Sequence, residues 1–249
     1  MDIFEPFFLS LVAGMATGIG GLLVILIGKL SNRTVGFSMG VASGVMLMVA
    51  FNDLFLEAVK ILTHLQLIFM FSLGAIVIMV IDLVIPHIEL TAGMGNGSGS
   101  KMYRMGVLIA IGITIHNFPE GIVVSAGYTY LPRLGLIIAI AIALHNIPEG
   151  VATAVPLSVA GMKRSKIAII TFLSGLSEPV AAFVGAIALS FFSNAIILGS
   201  ALAFAAGVMT YITADELIPV AHEYGHKHVV SIGLLLGMLL ALLVDVILS

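Results

Sequence analysis

Two stretches of this chain carry most of its usable chemistry, and they are near copies of each other. Residues 115–121 read Ile-His-Asn-Phe-Pro-Glu-Gly, and residues 144–150 read Leu-His-Asn-Ile-Pro-Glu-Gly. Each lies inside a long apolar run, so His116, Asn117, Glu120, His145, Asn146 and Glu149 are expected at membrane depth. Ionisable groups there cost several kcal/mol and are rarely left without a task. His and Glu stand four apart in each copy, which puts them on one helix face, one turn apart. Pro119 and Pro148 remove backbone N–H groups and free a carbonyl one turn back, adding oxygen acceptors. Two imidazoles, two carboxylates and two amides facing each other make a site for one or two divalent ions. Buried His and Asn can also hydrogen-bond across helices merely to lock packing. That accounts for one polar residue, but poorly for a duplicated His-Asn-x-Pro-Glu.

Further polar residues interrupt other apolar runs. Ser174, Ser177, Glu178 and Pro179 repeat the theme of a carboxylate beside a proline, and a third carboxylate suits a site for two divalent ions. Asn52 and Asp53 on one side, with Asp215, Glu216 and His222 on the other, could line an entrance and an exit flanking that site. Ordinary polar packing near helix ends is the competing account of these pathway residues, and a solvated loop that of His226 and His228. Asp82 and Asp245 are read as capping or pairing near helix ends.

The elements that must position these groups follow from composition. Hydrophobic residues make up 60% of the chain and charged residues 9%, where a soluble domain carries about 25% charged residues. This is an all-α polytopic membrane protein. Eight apolar segments fall near 6–28, 35–58, 65–86, 103–127, 133–156, 166–191, 194–219 and 228–248, each long enough to cross a bilayer. They use nearly all of residues 1–249 as a single transmembrane domain, and 87–102, rich in Gly and Ser, reads as a flexible cytoplasmic loop. The net charge of −3 implies no nucleic acid partner. The absence of cysteine excludes disulfides and thiolate ligands. Asp2 and Glu5 replace the basic start of a cleaved signal peptide, so the first helix is expected to be retained.

Orientation follows from the basic residues. Odd-numbered connections hold Lys29, Arg33, Lys101, Arg104, Lys163, Arg164, Lys166 and Lys227, and even ones only Lys60 and Arg133. The positive-inside rule then places both termini outside the cytoplasm. A second repetition has an offset of 163 residues: Ala42-Ser-Gly-Val-Met46 with Asn52-Asp53 matches Ala205-Ala-Gly-Val-Met209 with Asp215-Glu216, and Gly74 with Asp82 matches Gly237 with Asp245. The matched segments run in opposite directions, the trace an inverted-topology repeat leaves. The expected architecture is therefore 3+2+3: helices 1–3 and 6–8 around central helices 4 and 5, with the site near the midplane.

With these residues in view, the chain resembles the ZIP (Zrt-, Irt-like) family of divalent-metal transporters, most closely its short bacterial ZupT-type members. The resemblance rests on His116-Asn-Phe-Pro-Glu-Gly121, His145-Asn-Ile-Pro-Glu-Gly150, Ser177-Glu-Pro179 and Asp215-Glu-Leu-Ile-Pro219, and extends over all eight spans. It implies a binuclear metal site between helices four and five with His116, Asn117, Glu120, His145, Asn146 and Glu149 as ligands and Glu178 contributed by helix six. It also implies metal import into the cytoplasm through a prokaryotic inner membrane, an elevator-like or rocking alternation, and a homodimer. The chain departs from the family in two places: residues 91–102 contain no histidine, and Ala50 stands where helix two often offers a hydroxyl.

Imidazole with carboxylate suits Zn²⁺ best, and Fe²⁺, Mn²⁺, Co²⁺ and Cd²⁺ fit the same donors. The rival readings are a metal-selective channel with the same ligands, which sequence does not separate from a carrier, and an intramembrane metalloenzyme. The usual His-Glu-x-x-His signature of such an enzyme is absent, so no catalytic role is assigned.

Overall fold

The computed structural model describes residues 4–84, 98–191 and 195–248. Every regular element among them is helical, and eight helices are long and apolar enough to cross a membrane. We number them α1 (Phe4–Ile27), α2 (Asn32–Ile61), α3 (His64–Val84), α4 (Ser98–Tyr130), α5 (Pro132–Val159), α6 (Arg164–Gly175 and Ser177–Phe191), α7 (Ala195–Tyr224) and α8 (Lys227–Leu248). The expected spans are all present. Of the expected flexible loop 87–102, residues 87–97 lie outside the described residues, while 98–102 form the start of α4.

Local chemistry explains where the helices start, stop and bend. Ser31 caps α2 by accepting a hydrogen bond from the Thr34 amide at 3.1 Å. Pro132 opens α5 where its missing N–H costs nothing. Gly28 and Gly161 follow α1 and α5 with φ of 80° and 78°, a left-handed conformation that side-chain-bearing residues resist. Pro119 and Pro148 sit inside α4 and α5, which continue as helix past them. The sequence does not reveal two wider turns. Val49–Phe55 in α2 and Thr213–Leu217 in α7 are wound as π-helix, with the Leu56 amide bonded to Phe51 O and the Ile218 amide to Thr213 O. Such insertions re-aim side chains and favour functional sites. Here they carry Asn52 with Asp53 and Asp215 with Glu216.

The helices pack as two sets. In one, α1 lies against α5 and α6, and α4 against the same two helices; in the other, α2 pairs with α8 and α3 with α7. The sets meet chiefly where α4 touches α7 and α2 touches α5. Within the second set glycines bring backbones into direct contact. A Cβ added at Gly44 would lie 2.1 Å from Leu234 O, and one at Gly207 2.0 Å from Phe71 O. One at Gly74 would lie 2.0 Å from Phe204 O, and one at Gly237 2.1 Å from Val41 O. A shift of 163 residues carries the first contact of each couple onto the second. In a membrane, where apolar burial gives helices little reason to associate, such close van der Waals approach supplies much of the attraction. The outward faces of α3 and α8 stay apolar and exposed, as with Phe69, Leu239 and Leu243, which suits contact with lipid.

Gly44→Val and Gly207→Val should each force apart a pair of helix backbones. Thermal unfolding in detergent is expected to show a loss of about 1–3 kcal/mol for each, as overpacking does. Gly99→Ala, where a Cβ meets nothing within 4 Å, should leave the transition in place.

Candidate metal centre

The two central motifs converge where α4 and α5 cross α1 and α6. The glycine that closes each motif makes this possible: a Cβ at Gly121 would lie 2.1 Å from Glu178 O, and one at Gly150 1.9 Å from Thr17 O. Gly121 thus seats α4 on α6, and Gly150 seats α5 on α1. On the far wall, α6 breaks at Leu176 and restarts at Ser177, which puts Glu178 in the first turn of the second half. The amide-rich start of a helix favours a carboxylate there. The break lies beside another close helix approach, where a Cβ at Gly175 would be 2.0 Å from Gly14 O.

All seven expected central residues are buried: His116, Asn117, Glu120, His145, Asn146, Glu149 and Glu178. His116 Nε2 lies 3.0 Å from Glu120 Oε1 and 3.3 Å from Glu149 Oε1, so one imidazole stands between carboxylates from both motifs. Asn146 Nδ2 donates to Glu178 Oε1 at 2.6 Å and to Ala13 O at 2.8 Å, tying α5 to α6 and α1. Asn117 Nδ2 donates to Ser174 O at 3.3 Å. His145 Nε2 lies 3.7 Å from Asp53 Oδ2 in the other helix set.

Many donor atoms of this cluster have no hydrogen-bond partner among the described residues. They include both ring nitrogens of His116 and His145, both Glu149 oxygens, one oxygen each of Glu120 and Glu178, and the side-chain oxygens of Asn117 and Asn146. The short His116–carboxylate distances are ion-pair approaches without hydrogen-bond alignment. A buried polar atom left unpaired costs about 1–3 kcal/mol. So many in one place is what a divalent cation relieves, since carboxylate oxygen, amide oxygen and neutral imidazole are all ligand atoms.

The expected pathway residues divide between the two ends. Asn52 and Asp53 line a cavity of about 650 Å³ that reaches inward to Glu120 and His145. Asp245 also lines it: Asn52 Nδ2 donates to Asp53 Oδ1 at 2.9 Å and to Asp245 Oδ2 at 3.1 Å. The sequence reading left Asp245 as a helix-end residue; the 163-residue repeat, which pairs it with Asp82, was the signal that could have brought it in. At the opposite end, Asp82, Asp215 and Glu216 form a tighter group, their ligand atoms all within 4.8 Å of one another. Among the described residues no other three His, Asp or Glu groups come that close. The carboxylates of Glu120 and Glu149 stand further apart, with His116 between them. His222 does not join either end: its Nδ1 lies 3.0 Å from Ile218 O in its own helix, and the side chain is exposed.

Eight apolar helices around a buried imidazole, amide and carboxylate cluster define an integral membrane protein built to hold something polar at its centre. Comparison with known proteins identifies its kind. The family model described as "ZIP Zinc transporter" matches residues 91–245. "Zinc transporter ZupT" of Chlorobium limicola is 39% identical, over 92% of this chain and 92% of its own. Proteins of the same name from Streptococcus mutans and Akkermansia muciniphila are each 37% identical, covering 96% and 97% of this chain and 95% and 97% of their own. The chain belongs to the ZIP zinc transporter family, a family of transport proteins rather than enzymes.

Asn146→Ala would remove the donor shared by Glu178 and Ala13 O. We expect it to lower stability by about 1–3 kcal/mol, the usual result of leaving buried acceptors unpaired. Chemical or thermal unfolding in detergent checks this, and an unchanged transition would mean the bridge holds nothing together.

Proposed function

We propose that this protein carries divalent metal ions, Zn²⁺ foremost, across the prokaryotic inner membrane into the cytoplasm, with both termini outside. The ions would bind between α4 and α5, held by His116, Asn117, Glu120, His145, Asn146 and Glu149, with Glu178 from α6. The observation that carries this reading is the cluster of buried imidazole, amide and carboxylate atoms without protein partners at the crossing of the two motifs. Membership of the family and the zinc transporter names of the relatives agree with it. Seven donor residues exceed what one tetrahedral Zn²⁺ needs, which supports a binuclear site. Fe²⁺, Mn²⁺, Co²⁺ and Cd²⁺ would compete on the same donors.

The same arrangement supports transport by alternating access. Glycine contacts that repeat at 163 residues, the pairings of α2 with α8 and α3 with α7, and π-turns at Asn52-Asp53 and Asp215-Glu216 are what a 3+2+3 inverted repeat produces. The cavity at Asp53 and Asp245 would admit ions to Glu120 and His145, and the group at Asp215 and Glu216 would receive them on release. The two helix sets would move against each other as units. The exposed apolar faces of α3 and α8 leave room for a second copy, and we propose a homodimer.

Reconstitution into liposomes tests this. Saturable Zn²⁺ uptake is expected, falling at least about tenfold in Glu120→Ala/Glu149→Ala, since each carboxylate removed leaves the ion's charge uncompensated in a dry site. Imidazole binds metal only when neutral, so uptake should also fall at acid pH as protons compete for the same nitrogens. Undiminished flux in the double variant would remove the central site from the pathway, and uptake linear in concentration would favour a channel.

A further inference from the structure

The two ends of the proposed pathway differ in one respect: how the helix sets are tied together. At the end away from the cavity, Arg104 of α4 forms an ion pair with Asp82 of α3, and Lys101 of α4 pairs with Glu223 of α7 at 2.5 Å. Both pairs cross between the sets. The Arg104 pair is the more sheltered, since the Asp82 side chain is 9% exposed, whereas Lys101 and Glu223 are 59% and 47% exposed and their pair counts for little. At the cavity end the counterpart is missing. Apart from the approach of His145 to Asp53, no ion pair given by the described residues joins the sets there; Lys60 pairs with Glu57 in its own helix.

The repeat supplies what the cavity end lacks. The 163-residue shift carries Asp82 onto Asp245, and the neighbours Asn52 and Asp53 onto Asp215 and Glu216. The 29-residue shift that lays His116 on His145 carries Arg104 onto Arg133. Arg133 lies in the first turn of α5, is exposed, and has no ion pair among the described residues. The next residue, Leu134, lines the same cavity as Asp245.

We propose that Arg104 and Arg133 are alternate latches: Arg104 on Asp82 holds one end shut in this conformation, and Arg133 on Asp245 shuts the cavity end in the opposite one. The proposal rests on the alternating-access reading above. Its physical basis is desolvation. Asp82 shares its surroundings with the carboxylates of Asp215 and Glu216, and Asp245 with that of Asp53. While an end is open, water solvates these groups. When the helix sets close on it, a carboxylate that becomes buried, as Asp82 is here, is costly without a counter-cation. An arginine, charged at any working pH and able to fork onto a carboxylate, relieves that cost in the closed state alone. It therefore stabilises closure, not the carboxylates as such. Along the α4 axis Arg104 is about 18 Å from His116, at 1.5 Å per residue. It can set the conformational balance without touching the central donors.

The chain has no cysteine, so a single reporter is clean. Ala141→Cys lines the cavity, and its rate of modification by a hydrophilic maleimide in nanodiscs reports how often that end is open. Arg104→Ala should slow labelling and Arg133→Ala should hasten it, each by about threefold, the population shift a half-exposed ion pair commands. Exchanging the charges with Arg104→Asp/Asp82→Arg should restore the original rate. In a second measurement, Arg133→Cys/Asp245→Cys should form a disulfide faster when Arg104→Ala is also present, because the bond requires the two positions to approach. Both arginine variants shifting the reporter in one direction, or a charge exchange that fails to restore it, would overturn the proposal. If Zn²⁺ changes the labelling rate but the arginine variants do not, the latches fail and alternating access stands. If neither Zn²⁺ nor any variant changes it, alternating access fails and takes the latches with it.

Discussion

The structure depends on the cost of holding ionisable groups where water is scarce. His116, Glu120, Glu149 and Glu178 are all buried in a helix bundle with few internal hydrogen-bond donors to spare. Protein groups satisfy part of the cluster: Asn146 reaches Glu178 and Ala13 O, and Asn117 reaches Ser174 O. The rest is left to whatever binds. That division would suit the proposed carrier. A cluster fully satisfied by its own protein would have no use for an ion, and one with no internal support would not keep its geometry between loads.

Close helix packing makes the division possible. Gly121 and Gly150 let α4 and α5 press against α6 and α1, which brings both motifs to one place and keeps the cluster small. Gly44, Gly74, Gly207 and Gly237 do the same for the other helix set. Two sets of helices, each tightly packed within itself, suit the proposed movement of one set against the other. The π-turns carry Asn52-Asp53 in α2 and Asp215-Glu216 in α7, and Asp53 comes within 3.7 Å of His145 in the other set.

Much of this was legible in the sequence, for physical reasons that can be named. Spans were readable because a bilayer demands long apolar runs, and the candidate residues because a duplicated His-Asn-x-Pro-Glu stands out in an apolar run. The seven central residues all proved buried, and Glu178 reached the cluster from a separate helix, as a carboxylate beside a proline had suggested. What stayed hidden were features that local pattern does not encode. A π-turn inserts one residue without changing composition, so the winding around Asn52 and Asp215 left no trace, although both stood out as polar candidates. The break at Leu176 depends on how closely α1 passes Gly175. Asp82 and Asp245 could be placed only once the partner helices were known, although the 163-residue repeat already paired them. His222 had looked like a pathway residue because histidine near carboxylates suggests metal, yet its ring turns back toward its own helix backbone.

X-ray absorption at the zinc edge of the loaded protein tests the central claim most directly, namely that both motifs coordinate the cargo ion. The account predicts a shell of nitrogen and oxygen only, at about 2.0–2.2 Å, with imidazole scattering that weakens in both His116→Ala and His145→Ala. A sulfur shell, or imidazole scattering unchanged in both variants, would contradict it.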